Sequence, residues 1–245
     1  MVDIQQRELR EGSAERPELE IFQQQWNLYR KIVDNDYFSG ADVYREFNRF
    51  LSAEIARPFR LLDLACGDAS GIVGALKGTQ IVHYHGVDLS LPALELAKRH
   101  LDVLSCEIKL EHADFVDVAR DRSHRRDIVW FGLSLHHLTT LRKRALMRDI
   151  RNLVTADGVF AIYEPTLGDG ENLPAYLDRF EQFARGTWKA CTSKELDLAL
   201  EHVRSCDLPE TGGDWVALAR EAGFSKGEEI FRAPTDLFRM FVFRA

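Results

Sequence analysis

Two stretches of the chain share one pattern, an apolar run that ends in an acidic residue. Residues 60–70 read RLLDLACGDAS, in which leucines surround Asp63 and small residues surround Gly67. A second apolar run covers residues 81–87 and is followed by Asp88. Strand, tight turn, helix, strand and acid is the order in which a doubly wound parallel sheet forms a nucleotide site at its carboxyl edge. The pattern therefore predicts an α/β fold with a ligand site at that edge.

Strand and helix patterns continue to alternate along the chain. We expect strands at residues 60–65, 81–87, 107–112, 127–132 and 158–164, with helices at 70–77, 91–103 and 140–153 and a short segment near 115–120. After a final helix at 214–222, the runs 225–231 and 237–244 indicate an antiparallel hairpin. The predicted fold is α/β, a doubly wound seven-stranded sheet, mostly parallel, with an antiparallel C-terminal hairpin.

The regions outside this alternation suggest a division of the chain. Residues 1–18 are charged and poor in large apolar groups, which predicts a flexible N-terminus. Residues 19–57 carry helical periodicity and are expected to form a helical cap. Residues 58–245 form the predicted catalytic domain, with a helical lid insertion at about 166–210.

The composition of the chain argues against several classes of binding partner. The formal net charge of -7 argues against nucleic acid, which requires a concentrated positive surface. The 4 cysteines are scattered without a CxxC pair, so neither a zinc site nor a disulfide framework is indicated. No signal-peptide pattern opens the sequence and no apolar run approaches membrane-spanning length, which predicts a cytoplasmic protein without a membrane partner.

The turn after the first predicted strand resembles a known motif. It reads Asp63-Leu64-Ala65-Cys66-Gly67-Asp68-Ala69, an acid followed by small residues at alternate positions. This order resembles the first motif of class I S-adenosylmethionine-dependent methyltransferases, in their small-molecule branch, with alanine in place of the first and third glycines. The resemblance covers roughly residues 20–245, and it implies a Rossmann-like sheet and S-adenosyl-L-methionine as the cofactor.

The resemblance also implies cofactor-binding residues. Asp88 would accept hydrogen bonds from the ribose hydroxyls, Asp114 would accept from the adenine amine, and Asp63 would hold the turn or meet the ligand's ammonium. The other implied contacts are Ala65, Gly67, Leu89, Phe115, Tyr29 and Tyr37. For the two tyrosines, packing within the helical cap is the alternative interpretation.

Candidate catalytic residues follow the fourth and fifth strands. His136 and His137 lie in a stretch that runs past the sulfonium in many members of this family, and Glu164 ends the fifth strand. The histidines are interpreted as acceptor contacts or a general base, with structural and metal-binding roles as alternatives, and no metal is predicted. Glu164 is interpreted as a functional carboxylate or as a partner of the lid.

These expectations define an enzyme that methylates a small-molecule acceptor at O, N or C by in-line displacement. Aromatic residues are expected to wall the cavity: Trp130, Phe131, Tyr163, Tyr176 and Trp188. A nicotinamide-dependent oxidoreductase is an alternative, although ACGDAS lacks its G-x-G-x-x-G pattern. A non-catalytic adenosylmethionine-binding module is another, and the acidic balance disfavours RNA or protein as the acceptor. No motif specifies the acceptor or the oligomeric state.

Overall fold

The computed structural model describes residues 26–121 and 125–245, with side chains from residue 28 onward. The predicted flexible segment 1–18 and the beginning of the first predicted helix at residue 19 lie outside these ranges. Within them, no helix is both long enough and apolar enough to cross a membrane.

A single mixed sheet forms the centre of the described structure. Its strands are β1 Phe59–Leu64, β2 Ile81–Asp88, β3 Glu107–His112, β4 Arg126–Gly132, β5 Val154–Leu167, β7 Lys226–Arg232 and β8 Phe238–Arg244, in the order β3-β2-β1-β4-β5-β8-β7. The first five strands are parallel, whereas β8 runs antiparallel to both β5 and β7. This arrangement confirms the predicted doubly wound sheet with its antiparallel hairpin.

Helices surround the sheet and connect its strands. They are α1 Trp26–Asp34, α2 Gly40–Glu54, α3 Ser70–Leu76, α4 Leu91–Leu101, α5 Phe115–Arg120, α6 Thr140–Leu153, α7 Leu173–Thr187, α8 Ser193–Cys206 and α9 Gly212–Ala222. A 3₁₀ turn, Leu135–His137, follows β4. Side-chain caps explain why several boundaries were predictable: for example, Ser90, Thr139 and Thr192 each accept a backbone N–H in the first turn of the following helix.

Apolar residues cover both faces of the sheet. One buried cluster packs α1, α2, α7 and α8 against one face, and a second packs α6 and α9 against the other. Every residue of β4 except Gly132 is buried, as expected for a central parallel strand.

Two features of the sheet were not predicted. Strand β5 extends over Val154–Leu167 rather than 158–164, and its last residues pair with a two-residue strand, β6 Glu210–Thr211. This extra pairing connects the end of β5 with the chain that leaves α8. It therefore brings the segment after α8 to the carboxyl edge of the sheet.

Candidate functional site

A cavity of about 300 Å³ opens at the carboxyl ends of β1, β2, β4 and β5. Residues of α1, α2, α7 and α8 form its remaining walls. The predicted site residues that line it are Tyr29, Asp63, Ala65, Gly67, Asp88, Leu89, Phe115, His136 and His137. Tyr37, Asp114 and Glu164 are not among its lining residues. The structure thus brings most of the predicted site together, and it places these last three elsewhere.

The loop between β1 and α3 has an unusual backbone. Ala65, Gly67 and Ala69 all adopt left-handed conformations, with φ of 58°, 54° and 56°. Glycine adopts this region freely, whereas alanine is penalised because its Cβ crowds the following carbonyl oxygen. The two alanines that replace glycines in the motif therefore keep the backbone geometry that glycine favours.

Ala65→Gly is expected to raise the free energy of unfolding by about 0.5–1 kcal/mol, because it relieves the left-handed strain at the cost of some unfolded-state entropy. Urea denaturation measures the change. The control is Ala53→Gly, at an exposed helical position of α2, which should instead destabilise by about 0.5–1 kcal/mol. Equal destabilisation by both changes would contradict the interpretation.

Asp88 connects the two loops that form one end of the cavity. Its Oδ2 accepts the Gly67 backbone N–H at 2.8 Å, and its Oδ1 accepts that of Ser90 at 2.8 Å. Burial raises the pKa of this carboxyl group, while the backbone hydrogen bonds partly oppose the shift. A carboxylate has about four acceptor positions, so Asp88 retains acceptor capacity beyond its backbone hydrogen bonds with Gly67, Ser90 and Leu89.

Asp63 lies deeper, at the base of the same loop. It is 2% exposed and accepts the hydroxyl of Tyr84 at 2.6 Å. Burial raises the pKa of Asp63 to about 7, and the negative charge of Asp88 adds to this effect, while the Tyr84 hydroxyl opposes it. Asp63 therefore carries a proton in the folded state at mildly acidic pH.

This proton makes stability depend on pH. The unfolded carboxyl group titrates near 3.8 and the folded one at about 7, so the folded state binds the extra proton between these values. The contribution of the protonated Asp63 carboxyl group to the free energy of unfolding is therefore fully present below pH 4 and is lost as the pH rises toward 7. Relative to Asp63→Asn, the free energy of unfolding of the wild type should fall by about 2 kcal/mol between pH 5 and pH 8. The free energies of unfolding are measured by urea denaturation at each pH. The same pH dependence in the wild type and in Asp63→Asn would refute this assignment.

Tyr44 was not predicted as a site residue. It lines the cavity from α2, and its ring lies 5.9 Å from that of Trp130. A Cβ at position 71 would overlap the Tyr44 ring, so Gly71 leaves room for this ring beside the first turn of α3. The sequence signal was Gly71 itself, which lies two residues after Ala69, the last position of the motif.

Tyr37 and Asp114 have structural contacts. Tyr37 stacks on Trp188 with ring centroids 5.3 Å apart, and its hydroxyl accepts the Ala190 backbone N–H at 2.9 Å. Asp114 caps α5 by accepting the Val116 backbone N–H at 2.9 Å. The interpretation of Tyr37 as a packing residue therefore describes its contacts better than cofactor binding does.

Glu164 is fully buried behind the 3₁₀ turn. Its Oε1 accepts the backbone N–H groups of Ser134 and Leu135 at 3.1 and 3.0 Å, and its Oε2 accepts that of His136 at 3.2 Å. Oε2 also lies 2.6 Å from Nδ1 of the His136 ring. Burial raises the pKa of Glu164 to about 7, against the opposing effect of these backbone hydrogen bonds. These contacts position the 3₁₀ turn and the His136 ring, and a catalytic role for Glu164 stays a prediction.

The far end of the cavity is lined by imidazole and carboxyl groups. His136 and His137 come from the 3₁₀ turn, His202 from α8, and Asp207 from the segment that follows α8. The rings of His137 and His202 lie 5.3 Å apart, and Asp207 is 6% exposed. Burial lowers the pKa of all three histidines, so they are neutral near pH 7. His202 and Asp207 were missed because nothing in the lid sequence marks them, and only the folding of α8 over the sheet edge brings them here.

Aromatic residues contribute to the cavity only in part as predicted. Trp130, Tyr163 and Trp188 line it, whereas Phe131 and Tyr176 are buried in the apolar clusters and do not. Phe131 faces the opposite side of β4 from Trp130, because neighbouring residues of a strand point to opposite faces.

Comparison with protein families identifies the part of the chain that carries this loop and strand pattern. Residues 61–158 match the family model described as a methyltransferase domain. This part of the chain is therefore similar to a methyltransferase domain. The matched residues begin in β1 and end in β5, so they include Asp63, Asp88 and both histidines of the 3₁₀ turn. No curated protein matches the sequence.

Solved structures share the fold of the chain over most of its length. An O-methyltransferase family protein from Burkholderia thailandensis aligns with a TM-score of 0.63 at 18% identity, covering 91% of this chain and 63% of that one. A putative O-methyltransferase from Nostoc punctiforme aligns with a TM-score of 0.60 at 15% identity over 84% and 56% of the two chains. Human N-acetylserotonin methyltransferase, solved with SAM, gives 0.57 at 16% identity over 82% and 51%. The chain spans little more than half the length of these proteins.

Proposed function

We propose that this protein transfers the methyl group of S-adenosylmethionine to an oxygen atom of a small-molecule acceptor. The observation that carries the proposal is one continuous cavity, with the carboxylate-lined loop of the family motif at one end and a group of neutral imidazoles at the other. Two structural neighbours are named as O-methyltransferases, which supports oxygen as the acceptor atom. The net charge of -7 supports a small molecule rather than nucleic acid.

The residues at the cofactor end fit S-adenosylmethionine. The remaining acceptor capacity of Asp88 suits the vicinal ribose hydroxyls, and Leu89 and Phe115 supply apolar surface for the adenine. Burial raises the pKa of the Tyr29 hydroxyl group. The negative charges of Asp68, Asp88 and Asp63 lie close enough to raise this pKa further. A site with this concentration of carboxyl groups favours a cationic ligand.

When bound, the cofactor supplies a methyl group that is already activated by the positive charge on sulfur. The protein's own contribution is to position the acceptor, exclude water and receive the proton that a hydroxyl acceptor releases. Aromatic rings of Tyr44 and Trp130 line the middle of the cavity and can stabilise positive charge there. The neutral imidazoles of the far end supply lone pairs beside the acceptor position.

We also assign residues 166–210 as the lid of this cavity. Phe180 of α7 and Ala199, His202 and Val203 of α8 line it directly. The lid therefore determines the shape of the space available to the acceptor.

The direct test measures formation of adenosylhomocysteine by mass spectrometry with a panel of phenols, alcohols, amines and carboxylic acids. We expect turnover with an oxygen acceptor and tight cofactor binding by calorimetry. Failure to bind adenosylmethionine would contradict the proposal, and turnover of the amines alone would refute the assignment to oxygen. Tight binding without turnover of any acceptor would instead favour a non-catalytic module.

A further inference from the structure

Three side chains converge at the lid end of the cavity. Nε2 of His136 and Nδ1 of His137 each lie 3.6 Å from Oδ1 of Asp207. One ligand-type atom from each of the three residues falls within 4.8 Å of the others. All three residues line the cavity, and two are contributed by the sheet edge and one by the lid.

The other hydrogen bonds of each imidazole ring determine whether the nitrogen that faces Asp207 carries a proton. Nδ1 of His136 lies 2.6 Å from Glu164, whose oxygens also accept three backbone N–H groups, so we assign the imidazole proton to Nδ1. His137 bonds the backbone of Cys206 while its Nδ1 has no hydrogen-bond partner, so we assign that bond, and the imidazole proton, to Nε2. Both rings consequently direct an unprotonated nitrogen toward Asp207.

Three lone-pair acceptors thus face one another without a donor between them. Oδ1 of Asp207 is buried and has no hydrogen-bond partner. The nearby ammonium of Lys143 is fully buried and is already bonded to the Leu208 carbonyl and, at 3.0 Å, to Glu210. An arrangement of this kind leaves buried acceptors uncompensated unless a proton or a metal cation lies among them.

We propose that His136, His137 and Asp207 bind a divalent transition-metal ion of the Zn²⁺ type. Two imidazole nitrogens and one carboxylate are ligands that such ions prefer, whereas Mg²⁺ and Ca²⁺ prefer oxygen. Ligand bonds of about 2.1 Å in a tetrahedral site separate the ligand atoms by about 3.4 Å, close to the separations between Asp207 and each ring. Glu164 supplies the carboxylate that orients a metal-bound imidazole from behind.

Because all three ligand residues line the cavity, a ligand in the cavity could complete the coordination of the ion. In a protein that performs the proposed function, on which this step rests, the ion would hold the acceptor oxygen and lower the pKa of its hydroxyl group. Acceptors with a second oxygen donor beside the hydroxyl would bind best, because they can chelate the ion. His202, next to His137 but outside the ligand group, remains beside the acceptor.

The test is metal binding by the full chain after treatment with a chelator, measured in the absence of any methyl-transfer assay. Calorimetric titration with Zn²⁺ should show one equivalent, and Co²⁺ should give the visible absorption bands of a low-coordinate site. Asp207→Asn and His137→Gln should each weaken binding at least about 100-fold, beyond the 10–100-fold effect of losing an outer-shell partner. His83→Gln, which replaces a histidine on β2 outside the cavity, should bind like the wild type.

Circular dichroism confirms that each variant is folded before its titration is interpreted. Absence of stoichiometric binding by the folded wild type would overturn the proposal, as would unchanged affinity in both ligand variants. Loss of affinity in His83→Gln as well would show that the ions bind nonspecifically, and would also overturn it. Calorimetry with S-adenosylmethionine on the same metal-free sample separates the two proposals, since cofactor binding without metal binding refutes the metal site alone.

Discussion

Asp88→Ala is expected to weaken S-adenosylmethionine binding by about 100-fold or more. Hydrogen bonds to a charged group contribute about 1.5–3 kcal/mol each, and the proposed ribose contacts involve both oxygens of this carboxylate. The change also removes the acceptors for the Gly67 and Ser90 backbone N–H groups, so the two loops lose their connection. Isothermal titration calorimetry measures the affinity, and the thermal shift produced by adenosylmethionine should disappear.

Two further variants make this result specific. Asp88→Asn retains one oxygen and should show an intermediate loss of affinity. Asp117→Asn, on α5 with a side chain that is 77% exposed, should bind like the wild type. An undiminished thermal shift in folded Asp88→Ala would show that the cofactor site has been placed wrongly.

Glu164→Ala is expected to lower the free energy of unfolding by about 3–5 kcal/mol. The carboxylate accepts three backbone N–H groups in and beside the 3₁₀ turn and contacts the His136 ring, and Glu164, Leu135 and His136 are all buried. Alanine would leave the donors unsatisfied and open space behind the turn. Urea denaturation measures the loss.

A surface carboxylate provides the comparison. Glu46 pairs with Arg49 on the outside of α2 at 3.0 Å, and Glu46→Ala should change stability by less than about 1 kcal/mol. A similarly small effect for Glu164→Ala would mean that water or another group replaces the carboxylate, and its positioning role would have to be withdrawn.

The fold could be predicted because local signals agree with the tertiary structure. The apolar run of β4 is buried on both faces, and the end of α6 at Leu153 coincides with its predicted boundary. Asp63 and Asp88 could be placed at one end of the cavity because parallel strands align their carboxyl ends.

Other features depend on contacts that no local pattern encodes. Asp207 reaches His136 only because α8 folds over the sheet edge and the following chain pairs with the end of β5. Glu164 was expected to face the acceptor or the lid, but it turns toward the backbone of the 3₁₀ turn. The left-handed alanines could not be read from residue identity, because alanine rarely adopts that conformation.

The residues that form the cavity walls predict when ligand binding appears during folding. Its lining extends from Leu28 of α1 to Phe238 of β8, and β8 lies between β5 and β7 rather than at the edge of the sheet. During synthesis, a chain that has emerged only as far as β5 lacks both the lid and the strand that completes the sheet. Ligand recognition should therefore be acquired late in folding, and in refolding experiments it should coincide with the last kinetic phase rather than with formation of the parallel strands.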